Sequence, residues 1–331
     1  MLARFRTWWS FRRAVIEASR GSPAVTPLDR DVVVLPCWRR PELLWHCLDN
    51  LTRADGIEDV HVLFRPDTGF APETLEVIAA FADRLPSYQV QLALPCPFRR
   101  TKPSANILLS LLNAAALSHQ LVFLVEEDVM VGRDFFRWHR AVQVAADPLF
   151  CSISVRNPNR SLALPEIVEG YYLSSGDYCS TGICYDRRIL QRLVAPQVNM
   201  AYLARPKKYI RRHFPASKLS LGFVEQDGLI RRIQEQSAFP IAWPCVPRTF
   251  HAGFFGARGG WQNFNNAGGL GKSLGDRVQR VAETIYSVDA VRGAIDRPEF
   301  LDTCLPCSLE LPDWRALRQI DVPLPAVRKA G

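Results

Sequence analysis

The order of apolar and amphipathic segments in the first 130 residues predicts an α/β fold, a mostly parallel sheet flanked by helices. Three observations predict it. Short runs rich in β-branched and aromatic residues recur: DVVVLP at 31–36, DVHVLF at 59–64, YQVQLAL at 88–94 and LVFLV at 121–125. Segments of helical periodicity separate them, at 41–51, 72–85 and 104–118. Most of the runs are apolar almost throughout, as strands covered on both faces are. Strand and helix alternating in this way give right-handed crossovers and a doubly wound sheet, whose ligands sit beyond the carboxyl ends of the strands.

Each element has its own signal. Residues 1–20 read as a helix, and GSPAVTP at 21–27 breaks it as a linker. The first strand ends at Pro36. The helix over 41–51 opens on Pro41 and puts Leu43, Leu44, Cys47, Leu48 and Leu51 on one face. Pro72 likewise opens the next helix. The second half is less regular, with a strand at 149–155 and helices at 186–194 and 226–236. The Gly- and Asn-rich stretch 253–275 reads as a long loop of the kind that closes over a ligand. A helix at 276–290 and a proline-dotted tail follow.

Composition narrows the function. The 331 residues are 48% hydrophobic and 22% charged, ordinary for a globular protein. A net charge of +8 favours an anionic partner. No nucleic-acid-binding motif accompanies it, so nucleic acid is not expected. No apolar run is long enough to span a membrane, and no signal-peptide core follows the basic N-terminus. Phe5, Trp8, Trp9 and Arg12 instead give residues 1–20 the makeup of a helix that lies on an anionic membrane surface, or one that packs on the domain. The nine cysteines are scattered and odd in number, which favours free thiols over a disulfide framework. Cys304 and Cys307 form a lone CxxC without nearby histidines, a weak zinc signal.

The chemistry concentrates where the fourth strand ends, in Glu126, Glu127 and Asp128. Three adjacent carboxylates repel one another unless a cation holds them. Mg²⁺ and Mn²⁺ take such oxygen ligands and complete their shells with phosphate and water. A metal–diphosphate site is therefore expected, the alternative being a solvated acidic turn.

This stretch, VEEDVMVGRDFF at 125–136, resembles the Glu-Asp-Asp and Pro-Asp-Phe-Phe motifs of the N-acetylglucosaminyltransferase I family, inverting GT-A glycosyltransferases that use UDP-N-acetylglucosamine and Mn²⁺. The resemblance implies a GT-A fold, with Asp128 as direct metal ligand, Glu126 at the donor sugar and Glu127 at the ribose. Pro36-Cys-Trp-Arg39 and Cys47-Leu-Asp-Asn-Leu51 are similar to the family's Ala-Cys-Asp-Arg and Cys-Leu-Asp segments and imply a donor contact for Arg39. Arg65-Pro-Asp67-Thr-Gly resembles Ser-Gln-Asp-Gly and implies Asp67 at the uridine. Asn106 joins the expected donor contacts. Ser175-Gly-Asp177-Tyr-Cys-Ser-Thr-Gly182 resembles a family loop near donor and acceptor. Phe223-Val-Glu-Gln-Asp227-Gly resembles Trp-Asp-Asp-Trp, which implies Asp227 as catalytic base, with Glu225 the alternative. Asp227 also reads as a helix N-cap.

His251 has no counterpart in that family; other GT-A enzymes use a late histidine on the metal, and here it is either that or structural. Lys272, in GGLGKS, is expected to reach the diphosphate from the lid, although Asn266 stands where a phosphate loop needs glycine. The basic run RPKKYIRRH at 205–213 reads as a solvated face or a site for an anionic acceptor or lipid headgroups.

The expected organisation is an N-terminal helix and linker at 1–28, a nucleotide-sugar half at 29–150, an acceptor-side catalytic half at 151–290 and a tail at 291–331. The expected partners are a nucleotide-diphosphate sugar donor and a glycan or lipid-linked acceptor. The family's apolar N-terminal anchor has no counterpart here, so the expectation is cytoplasmic, peripheral at the inner membrane surface. A nucleotidyltransferase shares such acidic sites but wants a Gly-rich loop after the first strand, and Pro36-Cys-Trp-Arg-Arg40 has no glycine. A non-catalytic glycan-binding protein on a transferase fold stands as the other alternative.

Overall fold

The structure is a computed structural model that describes residues 2–20, 25–155, 170–175, 178–244 and 248–251. Helix α1 (Leu2–Arg20) is followed by β1 (Asp31–Cys37), α2 (Pro41–Leu51), β2 (Val60–Pro66), α3 (Glu73–Ala80) and β3 (Tyr88–Val90). Then come α4 (Lys102–Leu117), β4 (Leu121–Leu124), β5 (Val129–Val131), α5 (Phe135–Ala145), β6 (Cys151–Ile153), β7 (Tyr171–Ser174) and β8 (Ile183–Asp186). The described chain closes with α6 (Arg187–Ile189), α7 (Met200–Ala204), α8 (Pro206–His213), α9 (Gln226–Ser237), β9 (Ile241–Pro244) and β10 (Thr249–His251).

Eight strands form one sheet in the order β3-β2-β1-β4-β8-β6-β9-β7. The pairs β3–β2, β2–β1, β1–β4 and β6–β9 are parallel; β8 and β7 run against their neighbours. The mostly parallel α/β sheet is thus observed. β8, from the second half of the sequence, lies directly against β4 from the first. β5 and β10 pair separately, antiparallel, with His251 opposite Val129.

Alternation along the central strands divides the core. Val32, Val34, Leu63, Val122 and Leu124 face one layer, built with α1, α4 and α9. Val33, Leu35, Val62, Phe64, Phe123 and Val125 face the other, against α2, α3 and the Phe135–Phe136 pair of α5. These side chains are almost wholly buried, each contributing roughly 1.5–3 kcal/mol.

Several expectations change. The strand at 88–94 is regular only over β3, because it is the sheet edge: Tyr88, Leu92 and Leu94 are exposed, although Gln91 and Ala93 still donate to the carbonyls of Phe64 and Pro66, both at 2.9 Å. The helix at 186–194 is one α turn followed by a π turn at Leu190–Val194, ahead of Pro196. The helix at 72–85 is α3 plus a 3₁₀ turn at Ala82–Arg84. Strands β5, β7, β8, β9 and β10 and helix α5 carry no sequence expectation above; the strands have three or four residues each, too few for a period to show. Among the described residues no helix is long and apolar enough to cross a membrane.

Candidate functional site

Parallel pairing sets the site. β1 and β2 end level, with Cys37 opposite Pro66, and β4 ends three residues earlier, with Leu124 opposite Val34. The loops that leave these ends carry Trp38 to Arg40, Asp67 to Gly69 and Glu126 to Asp128.

Arg40 is the hub of the acidic cluster. Its Nε donates to Glu127 Oε1 and its Nη1 to Asp128 Oδ2, both at 2.6 Å. The second Glu127 oxygen accepts from the Trp38 backbone N–H at 2.6 Å. Glu127 and Asp128 are 3% and 5% exposed, so these contacts lie in a medium where charge interactions are strong. Burial works against the Arg40 charge, but Asp128 and Glu127 outweigh it and hold the guanidinium above its ordinary value. Burial lifts the Glu127 carboxyl above the usual carboxylate range, with Arg40 and the Trp38 N–H pulling the other way. Glu127 therefore braces the loop after β1; a ribose contact by its carboxylate requires Arg40 or Trp38 to yield. Arg40 is the residue that sequence reasoning passed over in favour of its neighbour, and only the pairing of β1 with β4 reveals it.

Arg39 turns the other way. Its Nε donates to the Gly69 carbonyl at 2.7 Å, and its guanidinium lies 4.8 Å from the exposed Trp38 ring. Gly69 has φ +77°, and a Cβ there would come within 3.3 Å of Arg39 Nη2. Asp67 accepts from the Thr68 N–H at 2.7 Å, and burial raises its carboxyl. Lys102, at the start of α4, donates to the Thr68 carbonyl at 3.2 Å, and Asn106 donates to the Arg65 carbonyl at 3.4 Å. Arg39, Asp67 and Asn106 thus border one region, the exits of β1 and β2 against the start of α4. Arg65, also unclaimed in the sequence, is buried there; burial brings its guanidinium down to about 10, against the pull of Asp67.

The second half supplies the opposite wall. Asp227 lies in the first turn of α9, where Glu225 is the N-cap residue, so the N-cap reading of Asp227 is corrected. The Asp227 side chain is solvent-accessible, although much protein surrounds it. The surrounding protein mass lifts its carboxyl above the usual range; a hydrogen bond with Ser180 opposes this and the Glu225 charge adds to it. The Ser180 hydroxyl is also 3.4 Å from Glu126 Oε1. One serine therefore links the carboxylate of the strand end to that of the helix. A hydroxyl has a single proton to donate, so it serves one carboxylate at a time. Ser104 of α4 accepts from the Gln226 N–H at 3.3 Å, which fixes α9 against α4. Gly228, next to Asp227, packs so closely that a Cβ would meet the Phe223 carbonyl carbon at 2.6 Å.

The Asp-Phe-Phe segment proves architectural. Phe135 and Phe136 are buried, and Asp134 makes a 2.7 Å ion pair with Arg248, which is 1% exposed. Arg248 leads into β10, and its carbonyl accepts from the Gly132 N–H at 2.8 Å. This anchor carries the backbone of His251 to Val129, the residue after Asp128.

A divalent cation fits part of this donor set. Asp128 offers a hard oxygen at the strand end and β10 brings His251 alongside in register. Among the described residues no group of three His, Cys, Asp or Glu side chains is placed to hold an ion. A site with few protein ligands, completed by diphosphate oxygens, is the form Mg²⁺ commonly takes. Such a cation would compete with Arg40 for Asp128. Asp177, Lys272, the side chain of His251, the 253–275 lid and the Cys304–Cys307 pair lie outside the described residues.

No family model matches this sequence, and no curated protein does. Solved structures show similarity at low identity. One is S. aureus TarS 1–349 in complex with UDP-GlcNAc, at 13% identity and TM-score 0.42, covering 65% of this chain and 55% of that one. The chain thus spans about half of that TarS segment. A second is the mannosyltransferase PcManGT from Pyrobaculum calidifontis in complex with GDP-Man and Mn²⁺, at 15% identity and TM-score 0.44, covering 92% and 81%. A third is the galactosyltransferase LgtC with donor and acceptor sugar analogs, at 8% identity and TM-score 0.38, covering 64% and 72%.

Proposed function

We propose that this chain is a GT-A glycosyltransferase that moves a sugar, with inversion, from a nucleoside diphosphate to a hydroxyl acceptor. One observation carries the reading. Glu126 at the end of β4 and Asp227 at the start of α9, far apart in sequence, meet on the Ser180 hydroxyl beside the Arg40–Glu127–Asp128 cluster. A diphosphate-facing charge cluster and a separate carboxylate with a raised pKa are the two parts that inverting transfer needs.

Arg39 and Asp67 bind the nucleoside, with Asn106 holding the β2 exit behind them. Asp128 and Arg40 face the diphosphate, and Glu126 holds the donor sugar. The acceptor hydroxyl lies against Asp227. As its oxygen bonds to the anomeric carbon, the bond from that carbon to the diphosphate oxygen breaks and the hydroxyl proton passes to Asp227. Arg40, which stays charged, neutralises the negative charge that grows on the departing diphosphate. Mn²⁺ or Mg²⁺, held by Asp128 and His251, would supply the same electrostatic stabilisation when bound. Asp177 belongs to the donor site on the sequence resemblance, which also makes N-acetylglucosamine the sugar of choice, and Lys272 joins it from the Gly-rich stretch. Glu225, two residues from Asp227, tunes that base through its charge. The acceptor is a glycan or a lipid-linked sugar.

The test is to incubate the protein with a panel of UDP- and GDP-sugars, with and without Mn²⁺, and read thermal shift and donor hydrolysis. At least one donor is expected to raise the melting temperature and to be slowly hydrolysed, and Asp128→Ala to lose both effects. No response to any nucleotide sugar would overturn the reading.

A further inference from the structure

The positive charge of this chain is concentrated in two segments. α1 holds five arginines and one acid, Glu17; RPKKYIRRH at 205–213 holds five cations and no acid. Together they carry +9, against +8 for the whole chain, so everything else sums to −1.

The fold brings these segments together. α1 places Phe11 and Val15 in the core. Arg12 and Ile16, further round the same helix, line a groove of about 650 Å³ together with residues of the 196–201 segment that leads to α8 and with Tyr209 and His213 of α8. Lys208 and Arg212, one position back from each, are exposed. On α1, Phe5, Trp9, Arg12 and Ile16 follow at intervals of four, three and four, so they share one face. Phe5 is 59% and Trp9 47% exposed, and the Arg12 guanidinium lies 5.0 Å from the Trp9 ring. The helix thus has two apolar faces, one spent on the core and one left in water beside cations. Indole rings with arginines at their edge suit the boundary between headgroups and acyl chains.

The direction of α1 gives this surface a place. The Phe11 ring is 6.3 Å from Phe98, just before α4, whereas Leu28 donates to the carbonyl of Leu117 at the far end of α4. α1 therefore runs alongside α4 in the same sense, with its aromatic half toward the strand ends that carry the site. The segment leading into α8 is held at that end too: Thr101 donates to the Leu203 carbonyl at 2.9 Å, and Tyr202 to the Val224 carbonyl at 2.8 Å, just before α9.

We propose that α1 and α8 form one peripheral-membrane surface for an anionic lipid bilayer, and that it turns the Asp227 end of the fold toward the bilayer. The proposal stands apart from the donor chemistry and is tested without it. The full chain is sedimented with vesicles of phosphatidylcholine containing about 30% phosphatidylglycerol, and with vesicles of pure phosphatidylcholine, at about 0.1 M salt. Binding to the anionic vesicles alone is expected, with release near 1 M salt, where the Debye length falls to about 3 Å. Each surface cation contributes about fivefold to partitioning, so Lys208→Ala with Arg212→Ala should weaken binding roughly thirtyfold. Trp9→Ser should weaken it as well and reduce the tryptophan blue shift on binding. All three side chains are solvent-facing, and an unchanged far-UV spectrum shows that each variant is folded. Equal binding to both vesicle types, no binding to either, or full retention by both variants overturns the proposal. So does capture by duplex DNA in the absence of vesicle binding.

Discussion

Arg40→Met is the most informative single change at the site. The guanidinium holds two carboxylates at 2.6 Å, Glu127 and Asp128, whose side chains are 4% and 7% exposed. Removing one partner of a buried ion pair costs about 3–5 kcal/mol, because the other charge is left uncompensated. Arg40 itself is 30% exposed, which screens the interaction and points to the lower end, about 3 kcal/mol. For a chain of 331 residues that corresponds to a melting temperature lowered by roughly 4 °C in EDTA. The variant also unblocks Asp128. Divalent cation no longer has to displace a guanidinium, so Mn²⁺ should stabilise Arg40→Met more than the parent; a hundredfold excess over its Kd stabilises the variant by about 2.7 kcal/mol. The loss should shrink as pH falls, since burial already favours protonated Glu127 and a neutral carboxyl needs no counter-charge. Urea unfolding with EDTA and with Mn²⁺, at several pH values, measures all three effects. An unchanged midpoint in EDTA would refute the clamp, and equal Mn²⁺ stabilisation of both proteins would refute the competition.

Other predictions concern the opposite wall and the anchor of β10. Asp227→Asn should keep donor binding and lower transfer about 10²–10⁴-fold, as loss of a general base does; parallel loss of donor affinity would count against that role. Because the base acts deprotonated and its pKa is raised above 3.8, transfer by the parent should fall with decreasing pH through a limb above that value. Gly228→Ala should push the first turn of α9 off the Phe223 carbonyl, lowering kcat with little change in KM for the donor and costing about 1–3 kcal/mol in urea. Arg248→Met strands Asp134 in the interior and should cost about 3 kcal/mol, part of it regained by adding Asp134→Asn. Stability unchanged in the single variant would mean that the pair does not hold β10.

Much of the site was legible because its residues follow strands. LVFLV ending in three acids places Glu126 to Asp128 beyond a buried strand, and DVVVLP does the same for Trp38 to Arg40, whatever the rest of the chain does. Choosing Arg40 over Arg39 was not legible, since adjacent residues leave a strand end in different directions and only the β1–β4 register shows which one meets the acids. Ser180 was equally hidden. It gains meaning only when β8 inserts beside β4 and α9 docks on α4 through Ser104.

The sequence by itself determined the parallel α/β half, its strand ends and the acidic cluster, because burial on both faces forces long apolar runs and their termini can be counted. It also determined the basic surplus. Only the tertiary structure decided which charges pair. β5 and β10 are three-residue strands with partners more than a hundred positions away, and a three-residue strand has no period to read. The Arg40 clamp, the Ser180 link between Glu126 and Asp227, and the union of α1 with α8 depend on such long-range pairings, which local physics cannot specify.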